Sequence, residues 1–202
     1  MASRGRPRSF DRLTALRRAM EVFWDKGYER ASMADLTAAM GINSPSLYAA
    51  FGSKEALFKE AVELYVATEG SGIWDNVNAA PTARQAVEEV LRSSAIAFTR
   101  GEDARGCLVV LAAPQAHGAA PAIDEELKRR RQANIDALKV RFEQAVAEGE
   151  LPQGFDCAAV ATYMVTVQHG MSIQARDGAT REVLLAVADC AMAAWDKLTE
   201  RG

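Results

Sequence analysis

Residues 32–54 read SMADLTAAMGINSPSLYAAFGSK, and this stretch decides the fold. Ser32 and Asp35 have the spacing of a capping box, in which the serine hydroxyl accepts a helix N–H and the acid reaches back. Gly41 is expected to end the helix that they start. Pro45 follows a serine, and this order predicts the start of a second helix, with the serine as its cap and the proline at its first position.

The second helix is short, because it runs only to Phe51 before another glycine. Isolated helices below about 12–15 residues are marginal in water, so neighbouring helices must hold this one in place. Leu47 and Phe51 are four residues apart and are expected to pack against the two preceding helices. The opposite side is expected to be exposed and carries small residues, Ser44, Ser46, Ala49 and Ala50, with Tyr48 at its flank.

A capped helix, a glycine turn and a short exposed helix form the pattern of a helix-turn-helix, whose second helix enters the major groove of DNA. Small side chains let the helix come close to the groove, where serines reach base edges and alanines contact thymine methyl groups. The alternative for residues 44–51 is a connector helix that packs inside the protein. The distribution of charge favours the DNA-binding interpretation over the connector helix. Residues 1–60 hold 10 Lys and Arg against 7 Asp and Glu, whereas residues 61–202 hold 14 against 20, so the basic part of the chain is the part with the helix-turn-helix pattern.

The N-terminal arm carries Arg4, Arg6 and Arg8 at alternate positions. Such an arm suits the minor groove or the DNA phosphates. A solvated tail is an equally good interpretation of the arm taken alone. Further phosphate contacts are expected from helix starts and polar side chains, at Ser32, Tyr48 and Lys54.

Residues 10–58 resemble the DNA-binding domain of the tetracycline-repressor (TetR) family of bacterial transcriptional regulators. The resemblance lies in the GRPR arm, in FWDKGYERASM and in ADLTAAMGINSPSLYAAFGSKEALF. The motif positions of the family are filled by Ala38 or Ala39, Gly41, Ile42, Leu47, Tyr48, Phe51, Lys54 and Leu57.

The resemblance implies an all-α fold of about nine helices, with a helix-turn-helix domain at residues 1–58 and a helical ligand-binding and dimerisation domain at residues 59–202. It implies a homodimeric repressor that reads a near-palindromic operator and is released by a small-molecule effector. Operator contacts are implied at Ser32, Met33, Asn43, Ser44, Ser46, Leu47, Tyr48 and Lys54. Many family members carry lysine at the position of Ser44, so base specificity here is expected to rest more on backbone approach and DNA shape.

The rest of the chain also has helical periodicity, and no segment alternates as a strand does. Helices are predicted over about 82–100, 106–116, 122–148, 156–176 and 180–199. No apolar run approaches the ~18–20 residues that span a bilayer. No apolar signal-peptide segment follows the basic N-terminus, so we expect no membrane partner and a cytoplasmic location.

Candidates for the effector pocket lie on these helices, and ordinary core packing is the alternative for each of them. They are Phe98, Cys107, Val110, Leu111, Phe142, Tyr163, Met164, Val167, Gln168 and Met171. Gln168 is the most suggestive, because its polar group lies between apolar neighbours.

An apolar stripe on the last helix predicts a dimer interface, since a helix that is apolar over most of its circumference must be covered on two sides. The stripe consists of Leu184, Val187, Ala188, Ala191, Trp195 and Leu198. The core of a monomeric bundle is the alternative.

The sequence offers no pattern typical of a cofactor, a metal site or an enzyme. Cys107, Cys157 and Cys190 are far apart and are expected to be buried thiols, with Cys107 the candidate for a redox-sensing one. His117 and His169 have no companions at metal-ligand spacing. No phosphate-binding glycine loop or nucleophile elbow occurs. Two other functions are alternatives. One is an enzyme or small-molecule carrier with a vestigial helix-turn-helix, and turnover of a bound compound would reveal it. The other is a dimeric scaffold that binds protein, and such a scaffold does not need the basic arm.

Overall fold

The computed structural model describes residues 10–101, 104–112 and 120–199. The described residues form helices and no strand, which confirms the predicted all-α fold. The helices are α1 (Arg12–Arg30), α2 (Met33–Met40), α3 (Ser44–Phe51), α4 (Lys54–Ala67), α5 (Ala83–Phe98), α6 (Leu108–Leu111), α7 (Pro121–Ala147), α8 (Cys157–Arg176), α9 (Arg181–Ala193) and α10 (Trp195–Thr199). Only Ala194 separates the last two, so the expected number of about nine is confirmed within the described ranges.

The helix starts in the first sixty residues follow the predicted caps, with one correction. Both hydrogen bonds of the capping box at Ser32 form, and the Ser53 side chain caps α4. The cap of α3 is Asn43 and not Ser44, because the Asn43 Oδ1 atom accepts the Ser46 N–H at 2.9 Å. Pro45 is therefore the second helical residue, where its missing N–H is still harmless.

The helix predicted over residues 106–116 is much shorter in the part that the structure describes. α6 begins only at Leu108, because Gly106 has a φ of +66° and Cys107 is extended. Residues 113–119 lie outside the described ranges, as does His117.

The first four helices pack around an aromatic cluster. The ring of Phe23 meets that of Phe58 edge-on at 5.0 Å between centroids, and Tyr28 meets Phe58 at 5.2 Å. Gly27 has non-helical backbone angles, so α1 kinks there and continues to Arg30. The domain boundary expected after residue 58 falls inside α4 and stays a prediction.

The remaining helices form a second core between α5, α7, α8 and α9. Phe142 lies at its centre, with ring centroids 5.8 Å from Phe155 and 5.6 Å from Trp195. No helix within the described ranges is both long enough and apolar enough to cross a bilayer.

The apolar stripe of α9 and α10 packs within its own chain, which corrects its assignment to a dimer interface. Four of its members are at most 4% exposed and belong to the second core, namely Leu184, Ala188, Ala191 and Trp195. The other two, Val187 and Leu198, are half-buried against the same core. Hydrophobic spacing showed that this face is covered, but the covering helices are α5 and α8 of the same chain.

Candidate nucleic-acid interface and ligand cavity

Two buried anchors hold α3 against its neighbours. Leu47 is 0% exposed and Phe51 is 4% exposed, which confirms their predicted anchoring role. Arg12 adds a tie between α1, α3 and α4, since its guanidinium carbon lies 4.4 Å from the Phe51 ring centroid and its Nη2 lies 2.7 Å from Glu60 Oε2. The Leu47 side chain therefore faces the core, which is a correction to its place among the DNA-contacting residues.

The opposite face of α3 is exposed and small. Ser44 and Ala49 are exposed, Tyr48 is 48% exposed, and Ser46 is half-buried. The side-chain oxygen of Asn43 accepts the capping bond, and its amide nitrogen is the side-chain group that can donate.

The turn between α2 and α3 depends on a glycine. Gly41 has a φ of +67°, a left-handed conformation that strains any residue with a Cβ atom. The N–H of Ile42 bonds to the carbonyl of Thr37 at 3.1 Å and closes the end of α2. Arg18 donates to the Ala39 carbonyl at 3.2 Å, so the turn is also tied to α1. These contacts set the direction in which α3 leaves α2.

At the start of α2 the capping acid is held by a lysine. Lys26 Nζ lies 2.6 Å from Asp35 Oδ1, and the Ser32 hydroxyl donates to Asp35 Oδ2 at 2.7 Å. The hydrogen bond from Lys26, followed by those from Ser32, lowers the pKa of Asp35 from 3.8 to about 2. Because the Ser32 hydroxyl is engaged in this way, a phosphate at this helix start meets the N–H groups of Met33 and Ala34 first.

Lys54 opens α4 directly after α3 and lies over an aromatic ring. Its Nζ is 4.4 Å from the ring centroid of Tyr28, and partial burial lowers the pKa of the lysine from its usual value. The ring holds the ammonium group at the edge of the exposed α3 face. Sequence analysis missed Tyr28 as a positioning residue, although its place directly after Gly27 was a signal. Arg4, Arg6 and Arg8 lie outside the described residues.

A cavity of about 270 Å³ lies between α4, residues 70–74, α6, α7 and α8. Of the ten predicted pocket residues it includes Cys107 and Gln168. Sequence analysis missed the aromatic wall made by Tyr65 and Trp74, which come from segments far from both in the chain.

The other eight pocket candidates do not line this cavity. Four of them are at most 1% exposed and pack in the second core, namely Phe98, Phe142, Met164 and Met171. Tyr163 is 41% exposed on the outer side of α8, and Val110, Leu111 and Val167 are half-buried elsewhere. Core packing, the alternative for all ten, is the better description of the four buried residues.

Gln168 carries an unsatisfied polar atom at the cavity wall. Its side chain is buried, and its Nε2 donates to Ser94 Oγ at 3.1 Å. Its Oε1 has no hydrogen-bond partner among the described residues. The neighbouring His169 is half-buried, and this burial lowers its pKa from 6.5 to about 4, so its ring is neutral at pH 7. Within the described ranges no group of His, Cys, Asp and Glu is arranged to hold a metal ion.

A short segment joins the cavity to α1. The Cys107 N–H donates to Ser172 Oγ at 2.7 Å, which ties the cavity wall to α8. Two residues earlier, Arg105 Nε lies 3.2 Å from Asp25 Oδ1 on α1. Arg176 at the end of α8 donates to the Asp25 carbonyl at 2.7 Å. Residues 105–107 therefore link the cavity wall by direct contacts to α1, the helix that supports α2 and α3.

Two family models match successive parts of this chain. The model described as "Bacterial regulatory proteins, tetR family" matches residues 15–61, and that described as "Tetracyclin repressor-like, C-terminal domain" matches residues 81–189. The chain belongs to the TetR family. As a TetR-family member it is a helix-turn-helix, DNA-binding transcriptional regulator, which confirms the resemblance noted from the sequence.

Several relatives of this TetR-family chain are similar over their full length. The chain is 34% identical to the HTH-type transcriptional repressor ComR of Escherichia coli (strain K12), with 98% of this chain and 95% of ComR covered. It is 33% identical to the HTH-type transcriptional repressor BdcR of the same strain, with 91% and 88% covered. A solved structure of the TetR family regulator CifR, a cysteine mutant complexed with 26-bp double-strand operator DNA, is 48% identical. It has a TM-score of 0.89 over 95% of this chain and 100% of that chain.

Proposed function

We propose that the protein is a homodimeric repressor that binds a near-palindromic operator through α3 of each protomer and leaves it when a small effector binds. The observation that carries this proposal is the exposed, small-residue face of α3 on its two buried anchors. The solved structure of the CifR relative in complex with operator DNA supports the same use of the fold.

The operator contacts follow from the exposed groups around α3. Ser44, Ser46 and Tyr48 offer hydroxyl groups to base edges and phosphates, and the Asn43 amide donates beside them. The ammonium group of Lys54 neutralises a phosphate. Met33 contributes its backbone N–H at the start of α2, and Arg4, Arg6 and Arg8 are proposed to follow the adjacent minor groove.

Dimerisation is proposed through the outer faces of α8 and α9. These faces expose large apolar side chains, with Tyr163 at 41%, Ile173 at 47% and Val183 at 50%. Two such helices from each protomer would form a four-helix interface. A twofold dimer places two recognition helices on one side of the assembly, as a palindromic operator requires.

Effector release is proposed to begin at the cavity beside Cys107. A ligand shifts the DNA-binding equilibrium only if it binds one conformation more tightly than the other. Residues 105–107 connect this cavity to Asp25 on α1. If the ligand fits only after this segment has moved, its binding also moves α1. The spacing between the α3 helices of the two protomers would then change. We infer from this regulatory role that the protein is not an enzyme and acts in the cytoplasm.

Fluorescence anisotropy with DNA selected from a random duplex library tests the proposal. Tyr48→Ala is expected to weaken binding to the selected DNA by about tenfold or more, since a lost base contact is worth about 1–3 kcal/mol. Lys54→Ala is expected to reduce the slope of log affinity against log salt by about one.

The matched control for the lysine is Lys139→Ala, because Lys139 lies on α7 and pairs with Glu143 at 2.6 Å. This variant is expected to bind selected DNA as the wild type does. A wild-type protein that shows no preference for any selected sequence over random duplex would sink the proposal.

A further inference from the structure

The interior of the cavity beside Cys107 is apolar and sized for a small compound. Its wall includes Val66, Ile73, Trp74 and Val109, and its volume is about 270 Å³. An engineered apolar cavity of about 150 Å³ accepts benzene, so this one has room for a single ring with a short substituent.

Gln168, one of the polar residues that line this mostly apolar cavity, carries a buried acceptor. Gln168 is 2% exposed, and its Nε2 is used by Ser94 while its Oε1 has no partner in the described part of the chain. A buried acceptor without a partner is costly, and a group that donates a hydrogen bond to it removes that cost. Gln168 therefore favours a ligand that brings its own donor.

The charged side chains at the cavity are already paired within the chain. Burial raises the pKa of the Tyr65 phenol and of the Cys107 thiol, so both groups are neutral at pH 7. Arg129 and Arg130 stand at its edge, but both donate to Glu126, with Arg129 Nη2 at 2.8 Å from its Oε1. An anion would have to give up its hydration in a mostly apolar cavity, and it would gain less from two arginines whose charge Glu126 already partly offsets.

We propose that this cavity binds a small uncharged compound with a hydroxyl group, which donates to Gln168 Oε1 while the apolar remainder packs against Trp74. The inference rests on the proposed function in one respect, because it names the chemical class of the effector. The hydroxyl satisfies a buried acceptor of a lining residue that has no partner among the described residues, and the ring replaces water on apolar surface.

Isothermal titration calorimetry of the full chain with four probes of one shape tests this chemistry. The probes are benzyl alcohol, which donates; benzyl methyl ether, which only accepts; toluene, which does neither; and benzoate, which is charged. Wild-type protein is expected to bind the alcohol several-fold more tightly than the ether, and benzoate most weakly. In Gln168→Met the ratio of the toluene Kd to the alcohol Kd is expected to fall about tenfold, since one buried hydrogen bond is lost.

The control variant is Gln153→Met, an exposed glutamine after α7, which is expected to leave all four affinities unchanged. Toluene affinity in Gln168→Met reports whether the cavity survives the substitution. If that variant does not fold, the alcohol-to-ether comparison on the wild type still decides the proposal.

Three results would overturn the inference: tightest binding by benzoate, equal binding of ether and alcohol, or no binding of any probe at millimolar concentration. Operator release is measured separately, by adding benzyl alcohol to the anisotropy assay. If benzyl alcohol binds selectively but does not release the protein from its operator, the proposed repressor mechanism is contradicted and the proposed chemistry of the cavity is supported. Failure of one proposal can therefore be told from failure of the other.

Discussion

Gly106 lies where a backbone segment of the cavity wall touches α8, and Gly106→Ala is expected to destabilise the protein strongly. Its φ is +66°, and a Cβ atom added there would lie 2.3 Å from the Ser172 carbonyl oxygen and 2.7 Å from Leu111 Cδ1. A carbonyl oxygen in α8 cannot rotate away as a flexible side chain can. The segment from Gly106 to Cys107 must therefore move off α8.

The cost of this substitution has three parts. A left-handed conformation costs a residue with a Cβ atom about 1–2 kcal/mol. Forcing packed groups apart costs about 1–3 kcal/mol. Movement of the segment also breaks the 2.7 Å hydrogen bond from the Cys107 N–H to Ser172 Oγ, worth about 1 kcal/mol. Together these amount to about 3–6 kcal/mol, which for a chain of this size lowers Tm by about 6–24 °C.

Gly149→Ala is the matched control, because Gly149 has a φ of +78° but no atom within 4 Å of an added Cβ. It is expected to lose only the conformational part, about 1–2 kcal/mol. Urea unfolding followed by circular dichroism compares both variants with the wild type at one protein concentration, because association shifts apparent stability. If Gly106→Ala loses no more stability than Gly149→Ala, the argument from close contact is refuted.

Three other substitutions test further contacts. Leu47→Ala is expected to lower the free energy of unfolding by about 2–5 kcal/mol because Leu47 is fully buried, whereas Tyr48→Ala, next to it but exposed, changes it by less than about 1 kcal/mol in the same urea assay. Glu150→Ala is expected to cost about 3–5 kcal/mol in urea unfolding, because Arg141 is 3% exposed and loses the carboxylate 3.2 Å away. His169 has a pKa of about 4 when folded against 6.5 ordinarily, so the unfolded chain binds more protons between these values. The free energy of unfolding is therefore expected to fall as pH drops from 6.5 to 4, and His169→Gln flattens that part of the curve.

Each of these predictions has a result that contradicts it. Equal stability of the Leu47 and Tyr48 variants would mean that α3 is not anchored as described. Glu143→Ala, which removes an exposed partner of Lys139, serves as control for the Glu150 variant and is expected to cost less than about 1 kcal/mol. A Glu150 variant no weaker than this control would contradict the burial argument. The His169 prediction is contradicted if the curves of unfolding free energy against pH for wild type and His169→Gln are parallel between pH 6.5 and 4.

Much of the DNA-binding region was predictable because its signals are local. The capping box at Ser32 and Asp35 depends on residues a few positions apart, and both of its hydrogen bonds form. The Leu47–Phe51 pair also follows from spacing on a single short helix. Even here the predicted cap of α3 was one residue too late. Asn43 and Ser44 are both good caps, and only the backbone conformation selected Asn43.

The sequence by itself determined that the protein is all-α, that it begins with a helix-turn-helix and that this motif belongs to the TetR pattern, because caps, glycine turns and helical spacing are short-range properties. Only the tertiary structure decided what covers each apolar face. The stripe with Leu184 and Trp195 packs against its own chain, since periodicity records that a face is buried and not by which partner. The cavity likewise required Tyr65, Trp74 and Gln168 to meet from three separate segments, an arrangement that depends on long-range packing and leaves no local mark in the sequence.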